Sequence, residues 1–404
     1  MSKTISSERL DVVDALRGFA LLGIVLTHFL EQFYAGPPPH DHQNYTMHLA
    51  SDGFFDAFVN IMMRGKFFML FSFLFGLSFF IQMSRADARG SNFSGRFVWR
   101  LVVLFAIGFV HNCFYRGDIL QIYALVGVPL LLFYRANDWI LLAAVAILML
   151  GIPRTVEKII NPSSTAQFDK QDQPDNPDEV VYWETAKHGS WLPIAKANAT
   201  TGFVQKMGFQ FGPIGRGYQT FALFLLGLLA GRMGFFEDLD DKKRLFKRGL
   251  WWSLGSFVGL FLLAGILFGV FHLDKILSPS WNFIIGITLY DVANLAQTAL
   301  YVFGFLLLFV NKTWWRRQML KLAPFGRMAL TNYVLQTLVG TFIFFGYGFG
   351  LLGDVGSTVA AALSIALFIL QRIGSRWWLE RYYFGPLEWL WRSLTFWKIQ
   401  PFKK

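Results

Sequence analysis

Long apolar stretches alternate with short polar and charged segments along nearly the whole chain. At 1.5 Å per residue, a stretch of about 20 such residues spans a hydrocarbon core of about 30 Å as a helix. The pattern predicts ten spans: 12–34, 66–83, 97–114, 119–134, 138–153, 217–234, 249–271, 283–310, 328–350 and 355–373. The expected fold is therefore all-α, a polytopic helical membrane protein. One connection, Arg154 to Arg216, interrupts the rhythm and divides the chain into a five-helix half over 1–153 and a second over 217–404 that ends in a basic tail. Its first part, Asn161 to Glu179, is rich in Pro, Asp, Asn and Gln and reads as an exposed loop. Its second part, VYWETAKHGSWLPIAKANATTGFVQKMGFQF, mixes aromatics with Lys and predicts a helix lying along the outer leaflet. A tether between the halves and a lid over an acceptor site are both open readings of this connection.

Composition sharpens that picture. Of the 404 residues, 54% are apolar, 18% aromatic and 16% charged, against about 25% charged in soluble domains. The net charge of +11 is read as a topology signal, since Lys and Arg are retained on the cytoplasmic side, and no nucleic-acid partner is expected. With the N-terminus inside, 26 of the 37 Lys and Arg fall on the cytoplasmic side and 9 outside. Both termini are then cytoplasmic. Met1 to Leu10 is polar, and Val12 to Tyr34 is too long for a signal-peptide core, so it is expected to remain as the first span. Cys113 is the single cysteine, which excludes an intramolecular disulfide and a thiolate metal cluster.

Ionisable and strongly polar groups inside a membrane are costly, and they mark candidate sites. His28 lies roughly 24 Å from the cytoplasmic edge along the first span and His111 roughly 21 Å along the third, so both imidazoles are expected in the outer half of the membrane. Asp118, Gln121 and Tyr123 follow His111 closely, where a carboxylate can orient an imidazole. Asp291, Asn294 and Gln297 share one face of the eighth span through their three-residue spacing. They are candidates to share a polar cavity with the histidines, or to bind helices together.

Near the cytoplasmic ends stand Arg17 beside Asp14, and Arg96 with Arg100 four residues apart. They read either as positive-inside anchors or as a phosphate-binding entrance, which guanidinium groups suit. Asn332 and Gln336 share a face of the ninth span on the same side. Lys66 is ten residues after Asp56, so the two charges are candidates to pair at the outer boundary, or Lys66 snorkels. No phosphate-binding glycine loop, HExxH or GxSxG pattern occurs. His40, His42 and His48 lie in an outer loop, and no metal site is expected there.

Five ordered motifs carry a family resemblance: LDVVDALRGFALLGIVLTHF, GKFFMLFSFLFG, RLVVLFAIGFVHNCFYRGDILQIYALVG, APFGRMALTNYVLQT and FGPLEWLWRSLTFW. Together they resemble the YeiB family of bacterial membrane proteins, a domain of unknown function grouped with transmembrane acyltransferases. That resemblance implies a multi-pass protein of the bacterial inner membrane using acyl-CoA, acetyl-CoA above all, as donor. The first span is also similar to the start of type-three acyltransferases, where a His follows an Arg-Gly pair at eleven residues from the Arg, as His28 follows Arg17 and Gly18. Many YeiB-like sequences carry Asn at this position, so His28 departs from their pattern, and the family His falls at His111.

The expected chemistry is acyl transfer to a hydroxyl or amine of a small-molecule, glycan or lipid acceptor. A His acts as base or acyl carrier, His111 before His28, with Asp118 orienting it. Arg96, Arg100 and Arg17, with Asn332 and Gln336, would hold the coenzyme. Asp291, Asn294, Gln297, Tyr123 and Lys66 would position the acceptor. Membrane lipids surround the chain, and a homodimer is one arrangement the reading allows. A small-solute transporter and a non-catalytic scaffold are the competing classes.

Overall fold

The structure, a computed structural model, describes residues 7–169 and 176–404, with side chains from Asp11 onward and none over 166–175. Part of the polar N-terminal segment and the centre of the 161–179 loop thus lie outside the described residues. The first helices are α1 (Ser7–Leu30), α2 (Asp52–Met62), α3 (Lys66–Asp87) and α4 (Ser94–Asn112). They are followed by α5 (Leu120–Gly127), α6 (Leu130–Phe133), α7 (Asp138–Met149) and α8 (Ile152–Ile160). The connection folds as α9 (Pro177–His188), α10 (Trp191–Ala199) and α11 (Thr201–Phe211). Then come α12 (Arg216–Arg232), α13 (Lys243–Ala264), α14 (Leu273–Ile276), α15 (Pro279–Asn311) and α16 (Thr313–Leu320). The chain ends through α17 (Ala323–Arg327), α18 (Ala329–Phe344), α19 (Ser357–Arg381) and α20 (Pro386–Phe396).

The all-helical expectation holds, while the number of span-length helices is smaller than ten. Among the described residues, six helical stretches are long and apolar enough to cross a membrane: Asp11–Leu30, Asp52–Asp87, Ser94–Asn112, Lys243–Val270, Pro279–Asn311 and Ser357–Arg381. A seventh arises if the bent pair α7 and α8 counts as one span. The remaining predicted spans are shortened for local reasons. Segment 119–134 is split before Pro129, which has no N–H to continue the ladder. Segment 138–153 turns by 54° at Gly151, whose φ of +70° is left-handed. The helices within 217–234 and 328–350 have only 17 and 16 residues.

Helix α1 is the hub, packing against α3, α17, α18 and α19. Its Val25 and Phe29, with Phe33 in the turn that follows it, are fully buried with Phe344 and Phe345 in the larger core cluster. The tightest pair is α3 with α12, where a Cβ on Gly76 would sit 2.0 Å from the Phe224 carbonyl oxygen and one on Gly227 2.0 Å from that of Phe73. Only glycine permits this approach, which is how lipid-embedded helices associate without a hydrophobic driving force between them. Helix α13 packs mainly on α15 and leaves its apolar outer side uncovered.

The second part of the connection differs from the single leaflet-lying helix expected. It forms three helices, and Tyr182, Trp183, Ala186 and Ile194 bury themselves in the bundle core. Burial of the aromatic face exceeds what an interface could offer, so α9 to α11 close one end of the bundle.

Candidate functional site

A cavity of about 1990 Å³ runs beside α1, lined from Asp14 to Glu31, a rise of about 25 Å at 1.5 Å per residue. One end is lined by Arg17, Arg85, Arg89, Arg96, Arg100, Arg327 and Arg392, with Asp14 and Glu388 as its carboxylates. The opposite end lies under the 154–216 connection, where Tyr34, Arg116, Glu179, Lys206 and Arg216 reach it.

The two histidines occupy different layers of this architecture. His28 lines the cavity. Its Nδ1 is 3.1 Å from the Tyr115 hydroxyl and 3.8 Å from Glu31 Oε2, one helical turn on. Arg64 in turn sits 3.1 Å from Glu31 Oε1. A carboxylate beside Nδ1 favours the proton on that nitrogen and leaves the Nε2 lone pair available. His111 ends α4 with its side chain 1% exposed, against 19% for His28, and is not part of the cavity wall. Its Nδ1 lies 2.7 Å from Asp118 Oδ1, while its Nε2 is buried without a hydrogen-bond partner. Asp118 also accepts the Leu120 and Gln121 backbone N–H groups, each at 3.1 Å, and so caps the start of α5. Tyr115 and Tyr333 line the cavity and lie against both imidazoles, at ring separations of 5.0 to 6.5 Å.

Beside this pair, Lys206 of α11 is 8% exposed. Its Nζ donates to Asn112 Oδ1 at 2.6 Å and to Gln121 Oε1. Burial pushes its ammonium down to about 8, against the pull of Asp118.

The other candidates divide between cavity and scaffold. Arg96 and Arg100 line the Arg-rich end, Arg96 over the Phe396 ring at 5.3 Å and Arg100 over Trp391 at 3.6 Å. Arg17 is held there by Asp14 and by Ser78 Oγ at 2.6 Å. Tyr123 reaches the cavity with its hydroxyl 2.6 Å from Ser72 Oγ.

Asp291, Asn294 and Gln297 do share a face of α15, but none of the three lines the cavity: they pack behind its wall, Asn294 against Gly65. Asp291 pairs with Arg154 at 2.7 Å, both buried, and Gln297 donates to the Ile61 carbonyl at 3.1 Å. Asn332 donates to Phe325 O and Ser375 Oγ, and Gln336 to Gln371 Oε1, so both join α18 to its neighbours instead of lining the entrance. Lys66 does not pair with Asp56: its Nζ donates to the Asn60 carbonyl at 3.2 Å, while Asp56 accepts from the Asn60 amide. Of the histidines in the loop between α1 and α2, His42 stacks on Trp183 and His48 bonds the Tyr45 and Gly353 carbonyls. Among the described residues no group of three or more His, Cys, Asp or Glu is arranged to hold a metal ion.

Glu31, Arg64, Tyr115, Tyr333, Lys206 and Arg392 escaped the sequence reading. Glu31 alone had a local signal, its three-residue spacing from His28.

The profile of a family described as "Protein of unknown function (DUF418)" matches residues 230–398. The chain is 29% identical to "Uncharacterized protein YxaH" of Bacillus subtilis (strain 168), over all of this chain and 98% of that one. An "Uncharacterized 39.9 kDa protein in amylase 3'region" of Bacillus acidopullulyticus is 29% identical over 96% of this chain and 94% of its own. "Uncharacterized protein YeiB" of Escherichia coli (strain K12) is 27% identical over 96% of each. No solved structure matches the chain. The chain is thus similar to the DUF418 family over residues 230–398 and, along nearly its whole length, to the uncharacterized bacterial proteins YxaH and YeiB.

Proposed function

We propose that this protein is a membrane-embedded acyltransferase that moves an acyl group, acetyl above all, from cytoplasmic acyl-CoA to a hydroxyl or amine acceptor within or across the bacterial inner membrane. The observation that carries this reading is His28 on the wall of a cavity whose one end is lined by seven arginines. The charge asymmetry of the chain supports a topology with that end, and both termini, on the cytoplasmic side. In this topology α12 and α18, though short, and the α5–α6 and α7–α8 pairs also cross the bilayer, giving an even ten crossings in all.

The chemistry follows from the arrangement. His28 Nε2 takes the proton of the acceptor hydroxyl as the oxygen attacks the thioester carbonyl. As the C–S bond breaks, the imidazolium returns a proton to the departing thiolate, so one base serves both half-steps. A transient acyl-imidazole is the covalent variant of the same route. Glu31 stabilises the imidazolium through Nδ1, and Arg64 keeps that carboxylate ionised and oriented. His28 ranks ahead of His111 because only His28 reaches the cavity; the His111–Asp118 pair supports the wall formed by Tyr115 and Tyr333.

A second reading, solute transport, draws on the length of the cavity, which is lined from near one end of α1 to the other. Purified protein supplied with radiolabelled acetyl-CoA in proteoliposomes separates the two. Release of free coenzyme A with label on an acceptor, or on the protein, supports acyl transfer. Uptake of unaltered solute without thioester cleavage would replace it with transport.

A further inference from the structure

The Arg-rich end of the cavity owes its shape to α20, which the sequence reading treated as part of a basic tail. Helix α20 lies against α4. Trp391 Nε1 donates to the Arg100 carbonyl at 2.8 Å and Trp99 Nε1 to that of Leu394 at 3.0 Å. The Trp99 and Trp397 rings stack at 4.8 Å. Glu388 fixes the other side of α20 to α18: it accepts the Leu330 and Thr331 backbone N–H groups at 2.7 and 3.0 Å and the Thr331 hydroxyl at 2.6 Å.

This docking brings flat rings and guanidinium groups together on one wall. Arg100 lies 3.6 Å over Trp391, Arg392 4.4 Å over Phe384, and Arg96 5.3 Å over Phe396, and all six residues line the cavity. The two carboxylates of this end are already engaged, Asp14 with Arg17 and Glu388 as the cap of α18. Among the described residues no carboxylate lies within ion-pair distance of Arg96, Arg100 or Arg392, and Arg392 Nε is buried without any hydrogen-bond partner. A buried guanidinium donor without an acceptor, as at Arg392 Nε, is costly, and a ligand carrying phosphate oxygens would satisfy it and offer the neighbouring Arg96 and Arg100 the bidentate partner Arg favours. Phosphate alone accounts for the cations. The stacked plates add a second requirement, a flat heteroaromatic ring, for which aromatic and guanidinium faces are the common protein platform.

We propose that α20, with the first turns of α4, forms a recognition slot for a nucleoside phosphate, with Trp391 and Arg392 as its determinants. The slot extends the acyl-CoA reading above by assigning the nucleotide end of the donor to α20, and it is testable without turnover. The test measures binding of adenosine 3′,5′-bisphosphate to the purified full-length protein by isothermal titration calorimetry, with pyrophosphate and phosphatidylglycerol vesicles as ring-free competitors. Wild type is expected to bind the nucleotide at least tenfold more tightly than pyrophosphate, and vesicles are expected not to displace it. Trp391→Leu and Arg392→Gln are each expected to lose about tenfold in affinity. In turnover, both are expected to raise KM for acetyl-CoA while leaving kcat/KM for acetyl-pantetheine, which has no nucleotide, at the wild-type level; a misfolded variant would lose both donors. Wild-type affinity in Arg392→Gln, equal binding of pyrophosphate, or displacement by the lipid would overturn the slot. Nucleotide binding without acyl transfer to any acceptor would uphold the slot and remove the transferase reading; acyl transfer without nucleotide binding would do the reverse.

Discussion

Arg116 and Glu179 meet through two hydrogen bonds, at 2.8 and 3.2 Å, between the loop after α4 and the first turns of α9. The guanidinium is sandwiched by Tyr182 at 3.8 Å and Tyr34 at 4.7 Å, so the pair is shielded and latches the 154–216 connection onto the bundle. Glu179→Gln leaves Arg116 buried without its counter-charge and is expected to destabilise the fold by about 3–5 kcal/mol. The double variant Arg116→Met, Glu179→Met should recover much of that loss. Thermal unfolding in detergent, with hydrogen exchange over α9, measures both; full stability in Glu179→Gln would mean that the latch holds nothing.

Lys206 gives the same region a pH signature. Its pKa in the fold is about 8 and 10.5 is the ordinary value, so between those values the unfolded chain binds the extra proton. Stability from this group therefore rises as pH increases from about 8 toward 10.5 and is lost again below about 8. Wild type should gain thermal stability relative to Lys206→Met across that window. Parallel pH profiles of the two proteins would contradict the assignment.

Asp291 pairs with Arg154 at 2.7 Å outside the cavity wall. Asp291→Asn is expected to lower stability by about 3–5 kcal/mol and to leave nucleotide affinity unchanged at temperatures where the variant is folded. A selective loss of ligand binding at wild-type stability would return Asp291 to the site.

What was legible in the sequence divides along local and tertiary lines. The apolar runs announced the helical membrane fold, because hydropathy and length act within one segment. They overcounted span-length helices where one residue ends the ladder, as at Pro129 and Gly151. The chemistry behaved alike. The His111–Asp118 contact was visible because both residues flank one turn. Which histidine faces the cavity depends on how Tyr115 and Tyr333, distant in sequence, fill the space between them. The polar stripe of α15 was correctly placed on one face, but helical spacing carries no information about what that face meets. Here it meets Arg154 and the α2 end. Lys206 and Arg392 gave no signal at all, since each reaches its neighbours from an element that looked like connection or tail.

The central claim is that His28, on the cavity wall, carries the proton or acyl group, while His111 serves the fold behind it. Single-turnover transfer from radiolabelled acetyl-CoA, with protein in excess over donor, compares His28→Ala and His111→Ala at matched amounts of folded protein. Loss of a catalytic base typically reduces the rate by about 10²–10⁴-fold. The account predicts that loss in His28→Ala with donor affinity retained, and a lowered thermal midpoint with residual transfer in His111→Ala. Transfer at the wild-type rate in His28→Ala beside an inactive, fully folded His111→Ala would contradict it.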